Sequence, residues 1–294
     1  MSTYNGKGNV GRQLDSILFQ KGIDVHITVR DDGSTDGTLE ELQSYVERYP
    51  MKITLHQGCN VGYKRSFLNL LDLARKAEFY AFSDQDDIWE EDKLSSAVAM
   101  LEGRSTVLYV SNLDIYAPDL KKVSSTCFSQ KRSSIFSEFA RHRYAGCTFV
   151  FDDKLKDKVS AFSHLDMPDR TMPSHDSLIA RCAYACGSVV VDENSYIKHV
   201  RYSNSVTAGG NGLLKRFKLE WKILVSPSVT SSTASMILKN VSDIHPEYRP
   251  FLESVAEYRS SFRKWFALLT DRRLQTGIWQ CDLLCKLKIF IGSY

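Results

Sequence analysis

Over residues 1–210, short runs of β-branched and aromatic residues alternate with segments of helical period, and the runs end in carboxylates. Val25-His26-Ile27-Thr28-Val29 runs into Arg30-Asp31-Asp32-Gly33-Ser34, and Phe79-Tyr80-Ala81-Phe82 runs into Ser83-Asp84-Gln85-Asp86-Asp87. Between them, Met51 to His56 reads as a strand, and residues 64–76 read as a helix with Phe67, Leu70, Leu71 and Ala74 on one face. Residues 9–20, the stretch carrying Leu39, Leu42 and Val46, and residues 175–186 also have helical spacing. Val107–Val110, Thr148–Phe151 and Val189–Val191 are further strands. Parallel neighbours need a crossover, so this alternation predicts an α/β fold with a mostly parallel, Rossmann-like sheet flanked by helices. Such sheets take ligands beyond the carboxyl ends of their strands, where these acidic clusters fall.

The alternation stops near Gly212. Residues 1–212 form one predicted domain and residues 213–294 a basic, helical C-terminal region. Lysines and arginines interleave there with Leu213, Phe217, Trp221, Leu283, Leu287 and Phe290. This suits peripheral contact with an anionic membrane face, and equally a helical pair packed on the first domain. A formal net charge of +3 is too small to point to nucleic acid as a partner. No run approaches the ~20 apolar residues of a membrane span, and no secretory leader pattern follows Met1. Seven cysteines without framework spacing suit reduced thiols in the cytoplasm.

Three places carry chemistry. Asp31-Asp32-Gly33-Ser34 can accept from a pyrimidine base and ribose hydroxyls, and reads equally as an acidic turn with a helix cap. Asp84, Asp86 and Asp87 crowd the end of a buried strand, which costs Coulomb repulsion unless a cation neutralises it. Hard oxygen ligands suit Mg²⁺ or Mn²⁺ shared with a diphosphate. Ser174-His175-Asp176 opens a helix, where the dipole favours an ionised carboxylate usable as a general base; a first-turn residue with capping value alone is the other reading.

Taken in order, Ser2-Thr3-Tyr4-Asn5-Gly6, Asp31-Asp32-Gly33-Ser34, Asn60-Val61-Gly62, Ser83-Asp84-Gln85-Asp86-Asp87-Ile88-Trp89 and His175-Asp176 resemble the motifs of glycosyltransferase family 2, which has the GT-A fold. The Ser-Asp-Gln-Asp-Asp-Ile-Trp form is similar to rhamnosyltransferase-like bacterial members that build cell-surface polysaccharide. The resemblance implies an inverting hexosyltransferase. The donor would be a dTDP- or UDP-linked sugar, rhamnose among the candidates, and the acceptor a hydroxyl of a glycan or lipid-linked glycan. It implies that Thr3, Tyr4, Asn5, Asp31, Asp32, Ser34 and Asp84 bind the nucleotide. Asp84 and Asp86 would hold Mg²⁺ or Mn²⁺, with Asp86 the direct ligand and His199 a further metal or diphosphate contact. Asp176 would be the catalytic base, with His175 its rival. Asp87, Trp89, Gly146, Cys147, Thr148 and His175 would line the substrate site. Relatives carry an apolar strand ahead of the Ser-Thr-Tyr-Asn-Gly turn, where Met1 stands here. The first strand is therefore expected to be missing, and an N-terminally truncated, inactive sugar-nucleotide-binding or assembly protein is the alternative. A dinucleotide-dependent oxidoreductase is disfavoured, since no G-x-G-x-x-G follows a strand.

Overall fold

The computed structural model describes residues 1–128, 133–165, 167–201 and 229–294. The expected boundary near Gly212, and the basic stretch holding Leu213, Phe217 and Trp221, lie outside the described residues.

The first half is the expected βα alternation. Strand β1 (Ser2–Thr3) pairs in parallel with β2 (Ile27–Asp31), which pairs in parallel with β3 (Ile53–Gln57). Helices α1 (Val10–Leu18), α2 (Thr38–Arg48) and α3 (Tyr63–Leu73) supply the crossovers. Each forms because its apolar residues recur at three- and four-residue spacing: Val10, Leu14 and Ile17 on α1 are buried, as are Leu42 and Tyr45 on α2. The cap of α2 lies beyond the Asp31–Ser34 turn. Gly37, at φ +95°, occupies that position, and the Asp36 carboxylate accepts from Thr38 N at 3.0 Å.

The second sheet is mixed. Its strands are β4 (Phe79–Ala81), β5 (Ile88–Trp89), β6 (Val107–Tyr116), β7 (Lys122–Ser125), β8 (Val150–Asp152) and β9 (Ser188–Val200). The order is β4-β8-β6-β9-β5, with β7 on β6. Only β6 and β9 run parallel; β4–β8, β6–β8, β5–β9 and β6–β7 are antiparallel. The parallel pattern expected for most of the sheet thus holds in the first half and gives way in the second. Helix α4 (Lys93–Leu101) follows β5. The short α5 (Ile135–Ala140) is closed by a Ser134–Ser137 capping box, and α6 (Asp153–Ser160) follows β8. Helix α7 (His175–Cys186) is buried along most of its length. Helices α8 (Val229–Asn240), α9 (Arg249–Glu257), α10 (Phe262–Thr270) and α11 (Trp279–Ile291) extend the same core through Ile237, Leu252, Leu268 and Ile289. They make the helical appendage that the sequence pattern anticipates.

The first strand, expected to be missing, is present as the short β1. β1 retains two residues, and the Met1 amine donates to Thr28 O at 2.8 Å. Beside it an apolar cavity of about 330 Å³ lies between β2 and β4, lined by Met1, Ile27, Leu70, Phe79, Phe82 and Trp89 among others. Burial lowers the Met1 amine to about 5, against the opposing pull of Asp84.

Candidate active site

The carboxyl ends of β1, β2 and β4, the loop after β4 and the start of α7 converge on one region. At the end of β2, Asp31 accepts from Thr3 Oγ1 at 3.0 Å, Ser34 Oγ at 2.5 Å and Ser34 N at 2.8 Å. Asp32 pairs with Arg30 and accepts from Val61 N and Gly62 N, both at 3.0 Å. Both carboxylates are buried: Asp31 bonds β1 and its own turn, and Asp32 ties β2 to the loop after β3. They shape the pocket wall, which is the turn-building role the sequence also allowed. Asn5, at φ +49°, ties the same wall together: its amide donates to Ser34 Oγ at 2.9 Å and its side chain accepts from Thr35 N at 2.9 Å. Tyr4 is exposed. Gln85, which lies between two motif aspartates and which motif reading passed over, clamps Tyr4. Its Oε1 accepts from Tyr4 N at 2.8 Å and its Nε2 donates to Tyr4 O at 3.1 Å.

The acidic cluster behaves as a site short of positive charge. Burial, then Asp87 and Asp86, push the Asp84 carboxyl up to about 8; burial, then Asp87, push Asp86 up to about 6. Asp87 is fully buried, with Oδ1 2.7 Å from His199 Nδ1 and Oδ2 without a hydrogen-bond partner. Burial disfavours the His199 cation, yet Asp87, Asp84 and Asp86 outweigh it and raise its pKa. Donor atoms of Asp87, Cys147 and His199 lie within 4.8 Å of one another, so His199 meets the cluster through Asp87. Burial drives the Cys147 thiol well above its usual range, and Asp87 and Asp84 drive it further. A protonated thiol is a poor partner for a hard cation, whereas carboxylates with raised proton affinity and an orphaned oxygen suit Mg²⁺ or Mn²⁺.

Strand β5 carries Trp89 inward. Its ring is buried 3.7 Å from Lys93 Nζ, and that amine makes no hydrogen bond and is lowered to about 7 by burial. Trp89 and Thr148 are buried in the core.

The opposite wall is the start of α7. Ser174 has cap geometry without a cap bond, and Asp176 lies in the first turn with Oδ1 accepting from Ser177 N at 2.7 Å. His142 Nε2 stands 3.4 Å from Asp176 Oδ2. Burial pulls the Asp176 carboxyl up, but His142, then His175 and Ser174, hold it far below the usual carboxylate range. His175 behaves differently. Its ring stacks on Phe67 at 4.0 Å and meets Phe82 edge-on at 4.8 Å, and burial lowers it to about 4. It is neutral and packed. Gly146 sits against both: a Cβ there would fall 2.7 Å from His175 Nε2 and 3.2 Å from Asp176 Cβ. Asp176 also acts electrostatically on Asp84, Tyr63 and Lys64, so it lies within electrostatic range of the acidic cluster. His142 and its partner Glu138 carry no motif. The signal available in the sequence was their i, i+4 spacing, which is common to any helix end.

An α/β sheet with carboxylates at its strand ends, closed by a helix-borne aspartate, is the frame of GT-A glycosyltransferases, and solved structures agree. The fold matches Staphylococcus aureus TarS in complex with UDP-GlcNAc at TM-score 0.59, with 14% identity, over 100% of this chain and 80% of that one. It matches the mannosyltransferase PcManGT from Pyrobaculum calidifontis, in complex with GDP-Man and Mn²⁺, at TM-score 0.56, with 16% identity, over 99% and 85%. The chain belongs to glycosyl transferase family 2, whose profile matches residues 1–163. Among curated relatives it is 36% identical over 156 residues to the dTDP-rhamnosyl transferase RfbG of Shigella flexneri, covering 51% of this chain and 53% of that protein. The chain thus spans about half the length of that relative. It is 21% identical over 221 residues to a UDP-Glc:alpha-D-GlcNAc-diphosphoundecaprenol beta-1,3-glucosyltransferase of Escherichia coli, covering 71% and 85%.

Proposed function

We propose that this family member is an inverting hexosyltransferase that moves a sugar, with rhamnose the first candidate, from a dTDP- or UDP-linked donor to a hydroxyl of a cell-surface polysaccharide precursor or lipid-linked glycan. The observation that carries the reading is the opposed pair of walls. One holds carboxylates whose proton affinity is raised, and the other holds a single aspartate kept ionised beside them. The names of relatives that use dTDP-rhamnose or UDP-glucose support the donor class.

In this mechanism Tyr4 and the loop scaffolded by Asp31, Asp32, Asn5 and Ser34 receive the nucleoside. Asp84 and Asp86, with Asp87 and His199 behind them, would hold Mg²⁺ or Mn²⁺, which would supply charge stabilisation to the departing diphosphate. Asp176 accepts the acceptor's hydroxyl proton. The freed oxygen bonds to the anomeric carbon from the face opposite the nucleotide. The bond from that carbon to the phosphate oxygen breaks, and its electron pair leaves on the nucleoside diphosphate. Gly146 leaves open the space beside Asp176.

Peripheral contact with the inner membrane face is part of the same proposal. Among the described residues no helix is long and apolar enough to cross a membrane. Helices α10 and α11 instead expose Phe262, Phe266, Trp279, Leu283 and Phe290. From Arg259 to Tyr294 seven lysines and arginines face two aspartates, a balance suited to anionic lipid.

Incubation with Mn²⁺, a lipid-diphosphate-linked acceptor and a panel of dTDP- and UDP-sugars tests the function. Transfer with inverted anomeric configuration, read by NMR, is expected. Donor binding without any product across the panel would instead make the chain a binding protein.

A further inference from the structure

The mechanism above uses Asp176 but leaves unexplained how a buried carboxylate stays ionised amid acids. Its neighbours in the acidic cluster do not: Asp84 and Asp86 are pushed up into the neutral range. The difference lies in what stands behind Asp176. His142, two residues past the end of α5, sits between two carboxylates, with Nδ1 2.6 Å from Glu138 Oε1 and Nε2 3.4 Å from Asp176 Oδ2. Glu138 is 3% exposed, and the same Oε1 lies 3.8 Å from Nε of Arg181 of α7, an ion pair without a hydrogen bond, with that guanidinium lying over the Phe139 ring. Nδ1 hydrogen-bonds Glu138, whereas the buried Nε2 meets Asp176 as an ion pair without a hydrogen bond among the described residues; a carboxylate facing each ring nitrogen favours the doubly protonated ring.

We infer that His142, clamped by Glu138, is a positioning residue that keeps Asp176 an ionised carboxylate with a fixed orientation, so that the base is ready near neutral pH. This rests on the reading of Asp176 as the base.

The groups around the pair support the assignment. Burial alone would lower His142, yet Glu138 and Asp176 outweigh it and hold the imidazolium up at about 10. The other groups facing Asp176 cannot replace it. His175 is neutral and packed on Phe67, and the nearby Asp84 is a competing acid. Lys64 Nζ spends itself on the carbonyls of Met172 at 2.7 Å and Asp169 at 3.2 Å, while Tyr63 is an uncharged phenol raised by burial. Arg181 pairs with Glu138 and acts on Asp176 through space, without an ion pair to it among the described residues. Without the imidazolium, desolvation raises the proton affinity of Asp176 as it does that of Asp84 and Asp86. The sign of the consequence is specific: activity is lost on the acid side and returns on the alkaline side, where a more basic Asp176 is again ionised.

The test is the pH dependence of kcat for the parent, His142→Ala, His142→Gln and Glu138→Gln, with Asp176→Asn in parallel, at saturating donor. The glutamine variant at 142 fills the space without charge if the alanine variant does not fold. His142→Ala and His142→Gln are expected to lose about tenfold per pH unit below a new acid limb. They should converge on the parent by about pH 9, leave donor KM unchanged and regain rate with added imidazole at acid pH. Glu138→Gln should move the limb in the same direction by less. A ¹³C titration of the Asp176 carboxyl reads the same shift without turnover. A loss equal at every pH, or an unmoved carboxyl titration, overturns the inference and leaves His142 a packing residue. If Asp176→Asn keeps full activity, the base assignment itself fails, whatever the His142 variants do.

Discussion

Replacing Asp86 by Asn removes one charge from a cluster whose repulsion the metal-free protein must bear. The native carboxyl is raised from 3.8 to about 6, so the folded state binds this proton more tightly than the unfolded chain. The protonated carboxyl's contribution is therefore complete below about pH 3.8 and lost as pH rises through about 6. At about 1.4 kcal/mol per tenfold change in proton affinity, ionised Asp86 costs the native state up to ~3 kcal/mol at pH 8. Partial solvent screening reduces this to ~1–2 kcal/mol. At a few degrees per kcal/mol for a domain of this size, Asp86→Asn should melt about 3–6 °C above the parent at pH 8 in chelator, with little difference near pH 4. Mn²⁺ should raise the melting temperature of the parent and leave the variant unmoved, since only a competent site gains from ligand linkage. Differential scanning fluorimetry over pH, with and without metal, measures both. A variant less stable than the parent at pH 8, together with a parent insensitive to Mg²⁺ and Mn²⁺, would refute the reasoning and make the cluster structural.

Gly146→Ala forces a Cβ to within 2.7 Å of His175 Nε2 and 3.2 Å of Asp176 Cβ, so transfer should fall at least tenfold while far-UV circular dichroism holds. A five-residue apolar extension ahead of Met1 should fill the cavity between β2 and β4 and raise the melting temperature, whereas the same extension with a central proline should not. Replacing Phe262, Trp279 and Phe290 together by Ser should abolish co-flotation with anionic liposomes at unchanged kcat on a soluble acceptor; flotation equal on neutral and anionic lipid would remove the membrane contact.

What could be read from the sequence was what local period encodes. The faces of α1 and α3, the strands that became β2 and β4, and the start of α7 at His175 followed from spacing and from runs flanked by polar turns. The length of β6 and β9 did not. β6 continues past Val110 through Asn112 and Asp114, because these polar side chains find partners: Asn112 with Glu193 O and Phe128 N, and Asp114 with Lys122 and Ser125. Tertiary bonding of that kind has no periodic signature. The motif residues were found, but their division of labour was hidden. Asp31 bonds its own turn, Asp32 bonds the loop after β3, Trp89 packs on Lys93, and Asp87 takes His199 as its partner. The ion pair of Glu138 and His142 meets Asp176 only because α5 and α7 pack together, a contact between segments more than thirty residues apart.

The central claim is that Asp176 takes the acceptor proton. Asp176→Asn keeps the shape at the helix start and removes the base. Transfer rate and nucleotide-sugar affinity, measured side by side for Asp176→Asn and His175→Ala, test it most directly. The account predicts a ~10²–10⁴-fold loss of rate for Asp176→Asn with donor affinity unchanged, because the nucleoside wall built on Asn5, Asp31 and Ser34 is untouched. Full activity in the Asp176 variant beside a dead His175 variant would contradict it.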